Sequence, residues 1–309
     1  MGFFLPPIIR RCSLIMLRLT ILLLVFSCVA GHGLADGGAS IGWTRPNRSD
    51  LVDGTDVDYT VNGTKYEGYY AAPKSGQLKA GLLIAHQYMG LIDYEKARAD
   101  EFATMGYAVF ALDVYGKGVR CNTSACARTE MHKALSDIPK LRGLIRAGVA
   151  ELLTKYNEPT KLVAMGYCFG GGIVLDIARH PLTGSSSGVT FKAVSSIHGT
   201  LSPYLGDKAK RGGVHTRIQA HHAELDFQGD VGLSTFEAEM KVGVDGSEAI
   251  WETIKYAKCE HGWTEPGTPI YRARAAVQAH KSTAEFFEMA LGLDDPAADP
   301  FPSLPICKH

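Results

Sequence analysis

The chain has 309 residues, is 46% hydrophobic and carries 32 basic against 32 acidic side chains. That is enough apolar material to bury a full core, and one domain of the larger α/β size is the simplest organisation. The charge balance excludes the basic footprint of a nucleic-acid binder, and no internal repeat or low-complexity run is present.

The N-terminus reads as a targeting segment. Arg10, Arg11 and Arg18 precede an apolar run from Leu19 to Ala30 that ends in small residues. This is the layout of a basic n-region, a short h-region and a cleavage point, which fits after Ala30 or after Ala35. An uncleaved anchor is the alternative, although the run is short for a membrane span. We expect residues 1–30 to be a signal peptide, residues 31–309 to form one domain, and no stable membrane span in the mature chain. Residues 1–30 hold three arginines and no acid, so the remainder carries 29 basic against 32 acidic residues, a net −3. The sequons Asn47-Arg48-Ser49, Asn62-Gly63-Thr64 and Asn122-Thr123-Ser124 agree with secretion and N-glycosylation. Of seven cysteines, Cys12 and Cys28 would leave with the signal. The odd number remaining points to one free thiol. The pairs Cys121–Cys126 and Cys259–Cys307 would leave Cys168 free, but four cysteines allow three connectivities.

The first structural signal is Asn62-Gly63 between two alternating runs, Asp56 to Thr60 and Lys65 to Ala72, which predicts a β-hairpin. Ala80 to His86 is a continuous apolar run of the kind buried on both faces of a parallel sheet. Asp93 is expected to cap a helix through Met105 that Gly106 ends. Tyr107 to Leu112 is the next strand, and Gly116 to Ala127 a polar loop. Thr129 to Tyr156 reads as helical with an interruption near Pro139. Leu162 to Met165, Ala193 to Ile197, Ile218 to His222 and Trp251 to Tyr256 read as strands. Ser234 to Lys241 and Tyr271 to Leu291 read as helices. Alternating strands and helices imply right-handed βαβ units, hence an α/β fold with a mostly parallel central sheet and helices on both faces. Ligands in such sheets bind at the carboxyl ends of the strands.

One stretch carries chemistry. In Gly166-Tyr167-Cys168-Phe169-Gly170-Gly171-Gly172 an apolar strand ends in a lone cysteine flanked by glycines, and an apolar periodic segment follows. That is the layout of a nucleophile elbow with cysteine in place of serine. A nucleophile needs a base, and the base an orienting group. Asp226 follows the strand Ile218 to His222, and His261 follows the strand at Trp251 to Tyr256. The order nucleophile, acid, histidine gives Cys168, Asp226 and His261, with Glu224 and Asp230 as rivals for the acid. A metal site at His221, His222 and Asp226 is disfavoured, because adjacent strand residues point to opposite faces.

The same residues carry a family resemblance. Gly166 to Gly171 resembles the G-x-C-x-G-G elbow of the dienelactone hydrolase family, within the α/β-hydrolase superfamily. Further blocks are similar: His86 to Leu91, Asp113 to Gly118, Phe236 to Met240 and Cys259 to Trp263, so that the resemblance runs from about Val57 to Leu291. It implies an α/β-hydrolase fold and a hydrolase of small carboxylic esters or lactones that works through a thioacyl intermediate. It places the oxyanion on the backbone amides of Tyr88 and Phe169. It gives Gln87, Tyr115 and Trp263 as pocket residues or partners of the thiol. It calls for no cofactor and no metal, a small-molecule ester or lactone as partner, and a monomer or weak dimer.

Two departures stand out. The family usually has glutamate at the position of Gln87, and glutamine is no base at neutral pH. The best-known members bind a substrate carboxylate through an arginine four residues after the histidine; here that residue is Glu265, which should repel an anion. Lys117 and Arg120 remain as anion contacts. The alternatives to a hydrolase are a catalytically weakened ligand-binding member, motivated by Gln87, and a redox-responsive thiol protein, motivated by Cys168.

Overall fold

Asn62 and Gly63 both take left-handed φ values, 48° and 77°. The chain therefore reverses within two residues, and β1 (Val52–Val61) pairs antiparallel with β2 (Thr64–Pro73). The computed structural model describes residues 43–182, 189–204 and 207–292. The expected signal segment with Cys12 and Cys28, and the tail with Cys307, lie outside the described residues. The asparagines of all three sequons are exposed.

The hairpin is the antiparallel end of an eight-stranded sheet in the order β1-β2-β4-β3-β5-β6-β7-β8. β3 (Ala80–Ala85), β4 (Tyr107–Leu112) and β5 (Leu162–Tyr167) are buried along their whole lengths. β6 (Phe191–Ile197), β7 (Arg217–Leu225) and β8 (Trp251–Glu260) continue the parallel part. Period-2 alternation sends Leu162 and Ala164 of β5 into one core and Val163, Met165 and Tyr167 into the other. Helices close both faces. α1 (Asp93–Thr104) contributes Tyr94 and Phe102 to one core. After α2 (Ser124–Leu135), α3 (Ile138–Lys155) and α4 (Phe169–Arg179) supply Leu141, Ile145, Ile173 and Ile177 to the other. α5 (Gly229–Gly243) joins them with Phe236 and Met240, while α6 (Ala273–Leu291) packs Phe286 and Phe287 beside α1's core. Each such side chain stabilises the fold by about 1.5–3 kcal/mol relative to leaving it exposed.

Several sequence-based boundaries shift: α2 begins at Ser124, inside the expected loop, and α5 begins at Gly229, before the expected Ser234. Asp93 is the first residue of α1, not its cap; Ile92 holds that place in an extended conformation, and its N–H donates to Glu95 at 3.1 Å. The interruption at Pro139 is a full helix start. Asp137 caps α3 by accepting from the Lys140 N–H at 3.0 Å, and proline suits the first turn because no N–H is needed there. β8 runs four residues beyond the expected Tyr256, through an irregularity at Lys258, whose φ is 57°. That extension pairs Glu260 with Leu225 at the end of β7.

At the elbow, backbone packs directly against backbone. A Cβ on Gly166 would lie 2.1 Å from the Gly170 carbonyl oxygen, and one on Gly170 would lie 2.2 Å from the Ala85 carbonyl oxygen. Both contacts are with backbone, which cannot step aside. We expect Gly166→Ala to destabilise the protein by about 3 kcal/mol, the upper end of ordinary overpacking costs. The urea midpoint of the variant against wild type measures this, and an unchanged midpoint would contradict the close approach.

Candidate active site

Parallel strands deliver their following loops to one edge, and register decides which residues meet there. Ala85 pairs with Gly166, Tyr167 with Ile197, and Leu225 with Glu260. The next residues are therefore neighbours: the loop from His86 beside Cys168, and Asp226 beside His261.

Cys168 stands between β5 and α4 with φ 52° and ψ −113°, a region that a side chain other than glycine enters only under constraint. The constraint is visible. Its N–H donates to the Ile197 carbonyl at 3.0 Å, and its own carbonyl accepts from Gly172 and Thr200 at 3.2 Å each. The cysteine is partly exposed. The amides of Phe169, which begins α4, and of Tyr88 donate to no group among the described residues. The positive end of the α4 dipole adds to the preference for negative charge at this point.

His261 Nδ1 lies 2.8 Å from Asp226 Oδ2, and the ring is also within hydrogen-bond reach of the Cys168 sulfur. Burial opposes a charge on His261. The charge of Asp226, the sulfur of Cys168 and the hydrogen bonds to both outweigh it, and they hold the imidazole well above its ordinary value. Burial likewise pushes Asp226 up, but the His261 charge and hydrogen bond, with the Gln228 N–H, bring it down to about 2. The second Asp226 oxygen accepts from Gln228 N at 3.0 Å. The rivals are committed elsewhere: Glu224 accepts from Lys258 N, and Asp230 pairs with Lys255.

Three pocket expectations change. Gln87 is buried, and its Oε1 accepts from Met89 N at 2.8 Å, so its side chain shapes its own loop and makes no hydrogen bond to the thiol. Tyr115 is 7% exposed and donates to the Tyr88 carbonyl at 2.9 Å; it braces the Tyr88 loop. Trp263 is 0% exposed and packs on His198 and Tyr256, behind the histidine rather than in the cleft. Lys117 pairs with Asp58 at 2.6 Å, and Arg120 donates to the carbonyls of Gly116, Val119 and Glu67. Both cations offered by the sequence are thus engaged. His221 and His222 face opposite sides, and His221 bonds to Tyr256 and Gln219. Among the described residues no group of three His, Cys, Asp or Glu side chains is placed to hold a metal.

Cys121 and Cys126 form the expected disulfide, and Cys121 N donates to Met89 O at 2.8 Å, tying the loop after β4 to the Tyr88 loop. Cys259 is buried, and its expected partner lies outside the described residues. Asp113 accepts from the N–H groups of Glu67, Tyr115 and Gly116, which orders the same loop.

Several neighbours were not read from the sequence. Phe227 is exposed at the rim, its ring centroid 4.9 Å from that of His261. His198 follows β6, takes φ 40° and packs edge-on against His261 at 5.3 Å. Tyr94 Oη donates to Thr264 Oγ1, and Thr264 Oγ1 lies 2.8 Å from His198 Nε2. Burial, then the adjacent His261 charge, keep His198 well below its ordinary value, so it backs the site as a neutral ring. Glu95 is buried under the Tyr88 loop and accepts from Gln87 N and Ile92 N. Its place at the third residue of a helix was the signal that could have found it. Nothing in the sequence around His198 or Phe227 could have done the same, since strand pairing puts them there.

The Dienelactone hydrolase family profile matches residues 66–291. Among curated relatives, an uncharacterised protein of Caenorhabditis elegans is 32% identical over 141 residues, 43% of this chain and 82% of the other. Protein usf of Aquifex pyrophilus is 29% identical over 126 residues, 40% of this chain; the match spans only 54% of that relative. Among solved structures, a dienelactone hydrolase-like promiscuous phosphotriesterase from metagenomic libraries superposes with a TM-score of 0.66. It is 23% identical, with 78% of this chain and 99% of that one covered. That likeness establishes the fold.

Replacing Asp226 by asparagine keeps its shape and removes its charge. We expect the His261 imidazole in Asp226→Asn to titrate lower than in wild type, because burial remains while the main opposing charge is gone. NMR of the ring protons between about pH 5 and 9 reads this directly. The wild-type Asp226 carboxyl, ordinarily at 3.8 and held here at about 2, contributes stability above its unfolded value that is lost as pH falls toward 2. The variant should lack that acid-limb dependence.

Proposed function

The chain belongs to the dienelactone hydrolase family, and we propose that it hydrolyses small carboxylic esters or lactones with Cys168 as nucleophile. The observation that carries this reading is the contact series Asp226–His261–Cys168, set beside two backbone amides that donate to nothing else among the described residues. Nδ1 of His261 donates to Asp226, which leaves Nε2 for the sulfur and fixes the tautomer.

The steps follow from that order. With the proton of the Cys168–His261 pair on the imidazole, sulfur attacks the substrate carbonyl carbon and a C–S bond forms. The oxygen that becomes negative is held by the amides of Tyr88 and Phe169, each donor contributing on the order of 10²–10³-fold in rate. The tetrahedral centre collapses, the C–O bond breaks, and the alkoxide leaves with the His261 proton. A lactone gives the ring-opened hydroxy-thioacyl form instead. His261, now neutral, takes a proton from water; the hydroxide attacks the thioacyl carbon, the C–S bond breaks with its electrons returning to sulfur, and the acid departs, restoring the pair.

Gln87 was the reason to consider a weakened binder. Its side chain serves the Tyr88 loop, and a protonated His261 needs no second proton acceptor, so turnover is favoured over mere binding. Entry to the secretory pathway belongs to the same proposal, supported by the n-region, the h-region and three exposed sequon asparagines.

Aryl esters and lactones offered to wild type and Cys168→Ala test the reading. We expect kcat to fall by about 10³-fold or more in the variant. A thioacyl adduct should be trapped on Cys168 of wild type and seen by mass spectrometry. Equal hydrolysis by both proteins would remove Cys168 from the chemistry.

A further inference from the structure

Glu265 is the residue that the proposed mechanism leaves unused. It lies on the turn that presents His261, where Glu265 N donates to Gly262 O at 3.1 Å and Thr268 Oγ1 to Glu265 O at 2.8 Å. Tyr94 anchors that turn to α1 through Thr264 at 2.8 Å. The backbone of Glu265 is thus fixed, while its carboxylate has neither a hydrogen bond nor an ion pair among the described residues. The residue is partly exposed.

Its carboxylate lies back toward the histidine: a Cβ on Gly262, the residue after His261, would stand 3.8 Å from Glu265 Oε1. Glu265 feels the charge of His261, and the Tyr88 hydroxyl feels both Cys168 and Glu265. Sulfur, imidazole, Tyr88 and the Glu265 carboxylate therefore share one electrostatic neighbourhood. A second carboxyl, Glu95, is buried, spent on two backbone N–H groups, and acted on by Glu265. The exposed Arg128 also acts on the Tyr88 hydroxyl. A carboxylate so placed has unused acceptor capacity. A substrate group that donates hydrogen bonds would fill that capacity on binding. An anionic group there would face repulsion in a site of reduced dielectric.

We propose that Glu265 determines specificity: its carboxylate receives a hydroxyl or ammonium group of the substrate and disfavours esters and lactones that carry a carboxylate of their own. This deepens the hydrolase reading and rests on it for the word substrate. It makes Glu265 a binding group that touches the ligand away from the bond being cleaved. The class of compound implied is a hydroxy- or amino-substituted ester or lactone.

The test compares wild type, Glu265→Gln and Glu265→Arg as full mature chains. It is run near pH 8, where the carboxyl that burial pushes up to about 7 is ionised. One readout is kcat/KM for a matched ester series of equal length ending in methyl, hydroxymethyl, aminomethyl or carboxylate. The second is the rate at which Cys168 is modified by cationic and by anionic methanethiosulfonates, with Cys168→Ala as blank. We expect wild type to prefer the hydroxyl and ammonium esters over the carboxylate ester by more than about tenfold. The preference should shrink by about tenfold in Glu265→Gln and invert in Glu265→Arg, and the cationic-to-anionic modification ratio should move the same way. Equal ratios in wild type and Glu265→Gln would overturn the proposal. If wild type turns over none of the esters, the hydrolase reading fails, and the methanethiosulfonate ratio still decides whether Glu265 sets the field at Cys168. Glu265→Ser replaces Glu265→Gln if the latter does not fold, with the same outcomes.

Discussion

A cysteine held at φ 52° is the constraint on which the rest of the site depends. A left-handed conformation costs a residue with a side chain on the order of 1–3 kcal/mol, and only an over-determined surround keeps it there. That surround is the central sheet itself. Cys168 is bonded to the end of β6 and to the loop that follows it, while Gly166 and Gly170 allow β5, α4 and β3 to meet at distances no Cβ would permit. The strain lifts the sulfur out of the sheet edge. It also leaves the first amide of α4 without a partner among the described residues, so one turn combines a partly exposed thiol with an unengaged backbone donor.

The second layer of the design separates a charged front from a neutral back. Asp226 and His261 form an ion pair, the carboxylate buried and only the imidazole reaching the surface. Behind them, His86, His198, His221 and His280 are buried, and burial holds each below its ordinary value. They serve as neutral hydrogen-bonding rings. Nδ1 of His86 meets the Gln87 carbonyl at 2.6 Å and Nε2 the Val114 N–H at 3.3 Å, which links the loops after β3 and β4. Tyr167 and His280 meet at 2.8 Å across the sheet–helix interface. A neutral ring can sit close to an imidazolium without adding to its repulsion, as His198 does against His261.

Gln87 and Glu265 show how a local substitution is reread once neighbours are known. In sequence, glutamine at position 87 looked like the loss of a base. In the fold its side chain holds the Met89 N–H, Glu95 holds the amides on either side, and Tyr115 and the Cys121–Cys126 bridge brace the same loop. The loop is built to present one backbone amide, and no side-chain base is needed for that. Glutamate at position 265 looked like the loss of an anion contact. In the fold it is an acceptor without a hydrogen-bond partner among the described residues, on the turn that carries the histidine.

Much was legible in the chain itself. Apolar runs without polar interruption announced central strands, because a strand covered on both faces has no solvent side to mark. Asn62-Gly63 announced its hairpin because asparagine and glycine tolerate two left-handed positions in succession better than most residues do. Glycine spacing around Cys168 announced the elbow, because the close approach excludes side chains whatever the rest of the sequence does. These are local constraints, and a linear sequence records them. Register is not local. That β8 runs on to Glu260 and pairs it with Leu225, bringing Asp226 to His261 and leaving Glu224 and Asp230 to lysine partners, depends on inter-strand hydrogen bonds far apart in the chain. The same holds for the fully buried Trp263, for His198 against His261, and for Phe227 at the rim. The sequence determined which residues could do chemistry; only the tertiary structure decided which of them face one another, because that is set by pairing and packing between segments that share no local signal.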